Sequence, residues 1–274
     1  MRDIDGAEAE LARIEALARR RETEGGVVWH LWGEGPPVVL LHGAAGSWRH
    51  WVRNVERLSR HRLVIAADMP GFGASALPPV PVTMDGVAGA LARGIAALLP
   101  GDARFDLVGF SLGSAIAGYV TAAMEDRVRR LVLVGAGGLT PPREIEMVRV
   151  REKEGAERMA AHRENLLRIM IHDPAAIDAL ALAAQAWNSD HARLRMRGVM
   201  PPMSLTRLLP ALSTPADAIW GEFDQPAAGA LPERTAALRA LRPASRVAII
   251  PGAGHWVAFE AAAAFEAALL QMID

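Results

Sequence analysis

The stretch GFSLG at residues 109–113 places a single serine, Ser111, between two glycines. The run FDLV at 105–108 before it is typical of a buried strand, and SAIAGYV at 114–120 after it is typical of a helix. A turn that joins a strand to a helix this tightly leaves no room for side chains two residues on either side of the serine. The sequence therefore predicts a nucleophile elbow that exposes Ser111 and directs the backbone N–H of Leu112 toward developing negative charge. An ordinary glycine-rich turn between strand and helix is the alternative.

Outward from this stretch, short apolar runs alternate with helical stretches. The predicted strands are 27–32, 38–41, 63–67, 105–108 and 131–134, and the predicted helices are 51–60, 84–99 and 111–124. Continuous apolar strands that alternate with helices predict a mostly parallel sheet covered on both faces. The strand pattern stops after residue 134 and returns at 217–220 and 246–250, before a final helix at 258–273.

This interruption divides the chain into three predicted parts. Residues 1–24 hold an amphipathic helix, with an apolar stripe over 5–22. Residues 25–138 and 213–274 form the α/β core. Residues 139–212 are helical, rich in Arg and Met and punctuated by prolines, so we interpret them as a cap inserted over the active site.

The composition and charge of the chain disfavour several classes of binding partner. The 274 residues are 51% hydrophobic and 22% charged, with a net charge of −1, which leaves no basic field for nucleic acid or an anionic membrane. The absence of cysteine excludes disulfides, thiolate metal sites and a cysteine nucleophile. Charges near the N-terminus and the lack of a long apolar span predict a soluble cytoplasmic protein without a secretion signal. Assembly into a homo-oligomer through residues 1–24 stays open.

A serine nucleophile needs a base within hydrogen-bond reach, and the base needs an acid that orients it. His255 is the candidate base because it lies in the glycine-rich loop PGAGHW at 251–256, between the last strand and the last helix. Asp224 is the candidate acid because it follows a predicted strand and would lie over the carboxyl edge of the sheet. Glu222 is the nearby competitor, whereas Asp217 stands too early, at the start of that strand.

The loop HGAAG at 42–46 follows the strand at 38–41 and has small residues that allow backbone amides to approach a substrate oxygen. The N–H of Ala44 is the candidate for the second oxyanion donor beside Leu112. We expect His42 to support this loop, and Asp68, in DMPGFG at 68–73, to anchor a turn by accepting backbone hydrogen bonds.

The motifs HGAAG, DMPGFGAS, GFSLG, WGEFD and GAGHW, in that order, resemble those of the α/β-hydrolase fold superfamily. The resemblance covers about residues 27–136 and 214–273. It implies a serine hydrolase with the triad order Ser111, Asp224, His255 and with no cofactor or metal. Haloalkane dehalogenases and epoxide hydrolases of the superfamily carry an aspartate at the nucleophile position. This chain has Ser111 there, which argues against both activities.

Within the superfamily the chain is most similar to the meta-cleavage product hydrolases, which cut carbon–carbon bonds in dienoate diketones. The similar stretches are VGAGGL at 134–139, RNV at 53–55, and His255 with Trp256 followed by Phe259 and Glu260.

Two departures separate the chain from that narrower family. Phe110 stands where the family often has asparagine. The family also uses a cap arginine to bind the substrate carboxylate, and the corresponding position in this chain falls near QAW at 185–187. Arg193, Arg195 and Arg197 are nearby substitutes, although a charged helical face explains them equally well.

The aromatic residues Phe110, Trp187 and Trp256 predict either an apolar substrate pocket or core packing. Together these observations predict a small-molecule substrate, namely a carboxylic ester of a small or medium apolar acid. A carbon–carbon bond hydrolase, a lyase or perhydrolase with the same residues, and an inactive binding protein of the same fold remain alternatives.

Overall fold

Within residues 2–196 and 198–274, which the computed structural model describes, eight strands form one sheet. The strands are β1 (Arg19–Thr23), β2 (Val27–Trp32), β3 (Pro37–Leu41), β4 (Leu63–Asp68), β5 (Phe105–Phe110), β6 (Val128–Val134), β7 (Ala216–Gly221) and β8 (Val247–Ile250). Their spatial order is β1-β2-β4-β3-β5-β6-β7-β8. Strands β3 to β8 are parallel to their neighbours in this group, and β1 and β2 add an antiparallel margin beside β4. The predicted mostly parallel sheet is confirmed.

Helices cover both faces of the sheet. They are α1 (Arg2–Ala16), α2 (Val55–Leu58), α3 (Met84–Leu98), α4 (Leu112–Ala123), α5 (Gly155–Asn165), α6 (Ala179–Asp190), α7 (Ser204–Leu208), α8 (Leu231–Leu241), α9 (Val257–Glu260) and α10 (Ala262–Ile273). Successive strand residues point to opposite faces, so Leu40 and Leu41 of β3 enter two different clusters of buried apolar side chains. Because each face has its own core, the inner strands carry apolar residues on both faces.

The helix predicted over residues 5–22 is shorter than expected. Helix α1 ends at Ala16, and β1 pairs antiparallel with β2. Ala7, Leu11 and Ile14 are buried as the predicted stripe requires, but Leu17 is 56% exposed. The sequence RRRET of β1 lies at the exposed edge of the sheet and has no buried face, so it carries no apolar alternation that could reveal a strand.

The chain between β6 and β7 carries α5, a π-helical turn (Leu166–Met170), α6 and α7, and its described residues contain no strand. This is the place predicted for the cap, whose boundaries at 139 and 212 stay a prediction. Helix α1 packs against α6. None of the helices in the described part of the chain is both long and apolar enough to cross a bilayer.

The sheet topology places the predicted motifs together. Strands β3, β5, β7 and β8 are parallel, so their carboxyl ends meet at one edge. The sequence HGAAG follows β3, and GAGHW follows β8. The sequence GFSLG begins in the last residues of β5, and WGEFD begins in the last residues of β7.

Candidate active site

Ser111 lies between the end of β5 and the start of α4, in a backbone conformation that non-glycine residues rarely adopt. Its φ is 52° and its ψ is −115°. Such a conformation costs on the order of 1–3 kcal/mol and persists only where the surroundings enforce it. Here the Ser111 N–H donates to the carbonyl oxygen of Val134 at 2.8 Å. The side chain is partly exposed and lines a cavity at this edge.

The glycines of the elbow are required by close backbone contacts. A Cβ atom on Gly109 would lie 2.3 Å from the carbonyl oxygen of Gly113. A Cβ atom on Gly113 would lie 2.4 Å from the carbonyl oxygen of Leu41. Ser114 closes the turn because its hydroxyl donates to the carbonyl oxygen of Gly109 at 2.6 Å. The strand, the turn and the helix therefore pack too closely for any larger residue.

His255 and Asp224 form a buried pair. The distance from His255 Nδ1 to Asp224 Oδ2 is 2.9 Å, and each residue is 2% exposed. Asp224 Oδ1 also accepts the N–H of Ala227 at 3.1 Å, which fixes the plane of the carboxylate. Since a carboxylate only accepts, the imidazole proton lies on Nδ1 and Nε2 keeps its lone pair. His255 lines the same cavity as Ser111.

The two competing carboxylates lie elsewhere. Glu222 is exposed and accepts the N–H of Gly252 at 2.9 Å. Asp217 is buried at the opposite end of β7, where it pairs with Arg130 at 2.9 Å and with Arg246 at 2.7 Å. Neither is bonded to His255, and the chain order Ser111, Asp224, His255 is the one that the structure brings together.

Residues 42–46, which we call the oxyanion loop, approach Ser111 closely. A Cβ atom on Gly43 would lie 3.3 Å from the Cβ of Ser111. The N–H of Gly43 donates to His50 Nδ1 at 3.1 Å, so it cannot also face a substrate. Ala44 and Leu112 both line the cavity beside Ser111. Their N–H groups are therefore the candidate pair of oxyanion donors.

Two buried histidines support the oxyanion loop as neutral groups. Burial, together with the neighbouring His42 and His255, holds the pKa of His50 well below its usual 6.5. Burial likewise lowers the pKa of His42 to about 4, despite opposing effects of Gly43 and Asp68. His42 Nε2 accepts the N–H of Met69 at 2.9 Å, so this histidine is structural, in the role expected for it.

Asp68, at the end of β4, anchors the neighbouring turn. Its carboxylate accepts the N–H groups of Trp48 and Ala74, each at 2.9 Å. Burial acts to raise the pKa of Asp68, but His30 and these backbone groups outweigh it and hold the pKa below its ordinary value. Asp68 thus stays ionised as a structural carboxylate.

The cavity at Ser111 has a volume of about 960 Å³ and faces both the core and the cap. Its apolar lining comes mainly from the cap and includes Pro142, Ile145, Met147, Met196 and Met200. Two carboxylates, Glu144 and Glu146, also line it. None of its described lining residues is Lys or Arg. Sequence reasoning missed these cap residues because their segments carry no periodic pattern.

The aromatic residues predicted as substrate contacts lie outside the cavity lining. Phe110 is 1% exposed, and its ring centroid lies 4.9 Å from that of His255, so it packs beneath the loop that carries His255. Trp256 is fully buried and donates its indole N–H to the carbonyl oxygen of His50 at 2.7 Å. Both support the site from the core, as the alternative interpretation of these residues stated.

Trp187 corrects the prediction more strongly. Its ring stacks on His191 at a centroid distance of 3.8 Å, and the guanidinium carbon of Arg49 lies 3.5 Å from its centroid. It lines a separate cavity of about 380 Å³ beside α1. Trp187 therefore lies where the cap packs on the core, outside the described lining of the cavity at Ser111.

The cap arginines do not supply a carboxylate site in the described structure. Arg195 is exposed and is not among the residues that line the cavity. Arg193 donates to backbone carbonyl groups of Gly73 and Ser75. Arg197 lies outside the described residues.

The fold and these residues define an α/β protein with a serine elbow at the carboxyl edge of its sheet. A model of the alpha/beta hydrolase family matches residues 38–268. The chain belongs to this family, and the resemblance identified in its motifs is confirmed.

Individual relatives resemble the chain in part. It is 39% identical over 136 residues to a 2-hydroxy-6-oxo-2,4-heptadienoate hydrolase of Pseudomonas putida, a match that covers 47% of this chain and 49% of the relative. The chain thus spans about half the length of this curated relative. A solved meta-cleavage product hydrolase from Pseudomonas fluorescens has a TM-score of 0.71 at 24% identity, over 94% of this chain and 96% of that one. A thermophilic esterase from Thermogutta terrifontis has a TM-score of 0.68 at 24% identity, over 93% and 96% of the two chains. The last two likenesses show the fold alone.

Proposed function

We propose that the protein is a serine hydrolase that forms an acyl-enzyme. Ser111 Oγ attacks a carbonyl carbon, and His255 Nε2 takes its proton while Asp224 stabilises the imidazolium. The N–H groups of Leu112 and Ala44 stabilise the oxyanion. The leaving group departs with the proton from His255, and a water molecule activated by the same base then releases the acid.

The buried His255–Asp224 pair, with His255 at the same cavity as the strained Ser111, is the observation that carries this proposal. A protein that only bound a ligand would gain nothing from holding Ser111 at a φ of 52° or from orienting one imidazole with a buried carboxylate. These features therefore favour an enzyme over an inactive binding protein.

The proposed substrate is a carboxylic ester of a small or medium apolar acid. Methionine, isoleucine and proline side chains of the cap supply an apolar surface for the acyl group. The described lining includes Glu144 and Glu146 but no Lys or Arg that would bind a substrate carboxylate. This apolar surface suits the acyl group of a neutral ester.

A carbon–carbon bond hydrolase is the second candidate. It is favoured by the 39% identity to a 2-hydroxy-6-oxo-2,4-heptadienoate hydrolase over about half of the chain. The same serine, base and oxyanion donors would serve attack on a ketone, so the two candidates differ in whether the substrate carries a carboxylate that the cavity must bind.

Turnover of short p-nitrophenyl esters and of a meta-cleavage diketone, by wild type and Ser111→Ala, tests the proposal. We expect ester turnover that Ser111→Ala lowers by several orders of magnitude. Ser245→Ala is the control, because Ser245 precedes β8 at the opposite edge of the sheet. Turnover that survives Ser111→Ala would overturn the mechanism, and strong preference for the diketone would replace the ester by the second candidate.

A further inference from the structure

The carboxylate of Glu260 lies between the catalytic histidine's loop and the cap. Glu260 ends α9, five residues after His255. Its Oε2 accepts the N–H of Gly254 at 2.7 Å, and its Oε1 accepts the N–H of Asp173 at 2.7 Å. Both oxygens lie 3.0 Å from the N–H of His172. One side chain thus gathers backbone donors from the residue before His255 and from the cap.

The residue after His255 is tied to the same part of the cap. The N–H of Trp256 donates to the carbonyl oxygen of Met170 at 2.6 Å. Gly254 packs so closely here that a Cβ atom on it would lie 2.7 Å from the N of His172. Trp256 is therefore bonded directly to residues 170–173, and Gly254 packs against them and is connected to them through Glu260. We call residues 170–173 the cap brace; it begins at Met170, the last residue of the π-helical turn Leu166–Met170.

The cap brace also contacts the turn that carries Asp224. The His172 ring stacks on Phe223, with centroids 3.8 Å apart and planes inclined by 13°. Phe223 immediately precedes Asp224 and donates its N–H to the carbonyl oxygen of Ala253 at 2.8 Å. The brace thus contacts both the turn of the acid and the loop of the base.

Residues 222 and 223 hold the first half of the histidine loop, residues 251–256, by hydrogen bonds to its backbone. Glu222 Oε2 accepts the N–H of Gly252 at 2.9 Å, and the Phe223 bond fixes Ala253. The N–H groups of Gly254 and Trp256 donate instead to Glu260 Oε2 and to the carbonyl oxygen of Met170.

We infer that Glu260 is a positioning residue for His255, and that the cap brace is part of the catalytic machinery as well as a cover. The inference rests on the proposed role of His255 as the base. A carboxylate suits the position because it can accept several N–H groups at once and has no donor of its own. A glutamine amide would turn one of its own N–H groups toward a backbone N–H, so it could not hold both loops.

The test compares Glu260→Gln with Glu222→Gln, measured for kcat, KM and thermal stability beside Ser111→Ala. Glu222 is the matched control because it also accepts one backbone N–H of the histidine loop but does not contact the cap brace. We expect Glu260→Gln to lower kcat about ten- to a hundredfold with little change in KM, because His255 is displaced by a fraction of an ångström. We expect Glu222→Gln to keep nearly the wild-type kcat.

Proton NMR supplies a readout that general loss of stability would not move. The proton shared by His255 Nδ1 and Asp224 should shift or broaden in Glu260→Gln and stay unchanged in Glu222→Gln. If Glu260→Gln does not fold, Gly254→Ala replaces it, since the added Cβ displaces the cap brace while the carboxylate remains.

An unchanged kcat and an unchanged proton resonance in folded Glu260→Gln would overturn the inference. An equal loss of kcat in Glu222→Gln would also overturn it, because the loss would then follow from any disturbance of the histidine loop and not from its connection to the cap brace. Turnover that persists in Ser111→Ala would instead contradict the proposed function itself.

Discussion

The carboxyl edge of the sheet and the cap enclose the same cavity in different ways. At the edge, Asp224 and His255 are 2% exposed, and short backbone contacts fix the Ser111 elbow. On the cap side, Met147 and Met200 are 41% and 37% exposed and lie in segments without regular secondary structure. Fixed polar groups therefore face adaptable apolar ones across the cavity.

We therefore assign the chemistry to the carboxyl edge of the sheet and the choice of acyl group to the cap. Proton transfer needs groups held to within a fraction of an ångström, which the buried edge provides. Flexible methionine side chains adapt to irregular apolar groups and suit a surface that selects by size. The buried face of the cap has a further role, because Asn188 of α6 accepts a hydrogen bond at 2.6 Å from Ser47, the residue that follows the oxyanion loop.

The largest effect should come from the edge. We expect Asp224→Asn to lower kcat about 10⁴-fold, because the amide no longer holds the imidazole proton on Nδ1. The Oδ1 acceptor of the Ala227 N–H is kept, so the variant should stay folded. Steady-state kinetics of Asp224→Asn and Glu222→Gln check this. A larger loss in Glu222→Gln than in Asp224→Asn would show that the acid is assigned wrongly.

A smaller effect on stability should come from the buried histidines of the same edge. The pKa of His42 is about 4 in the folded chain and about 6.5 when it is unperturbed. The unfolded chain therefore binds a proton that the folded chain does not, and the free energy of unfolding falls as the pH falls from about 6.5 to about 4. Each such histidine contributes a slope of roughly 1.4 kcal/mol per pH unit within that window.

Urea unfolding of wild type and His42→Asn at several pH values between 4 and 7 measures this slope. The variant should be less stable near pH 7 and should lose less stability on acidification. Parallel pH profiles for the two proteins would mean that His42 is not held neutral in the fold.

The smallest effect should come from the buried face of the cap. Trp187→Leu removes the stacking on Arg49 and His191, and we expect it to lower the free energy of unfolding by about 1–2 kcal/mol. Preference among esters of different acyl length should not change, because Trp187 does not line the cavity at Ser111. A changed acyl preference at unchanged stability would show that Trp187 contacts the substrate.

Whether the sequence predicted a feature depends on how far apart along the chain the interacting residues are. Ser111, Asp224 and His255 each lie within five residues after the end of a strand, so a local pattern and the parallel topology bring them to one edge. Trp187 owes its place to Arg49, which is distant in the sequence, and no local pattern reports such a contact. Strand β1 was missed for a related reason, since only its pairing with β2 makes the exposed sequence RRRET extended.

Labelling with a fluorophosphonate, followed by mass spectrometry of the peptides, tests the central claim most directly, because the reagent reacts with an activated serine. The account predicts one adduct, on Ser111, that forms in wild type and is strongly reduced in His255→Ala. A folded wild type without an adduct, or with the adduct on another serine such as Ser114, would contradict it.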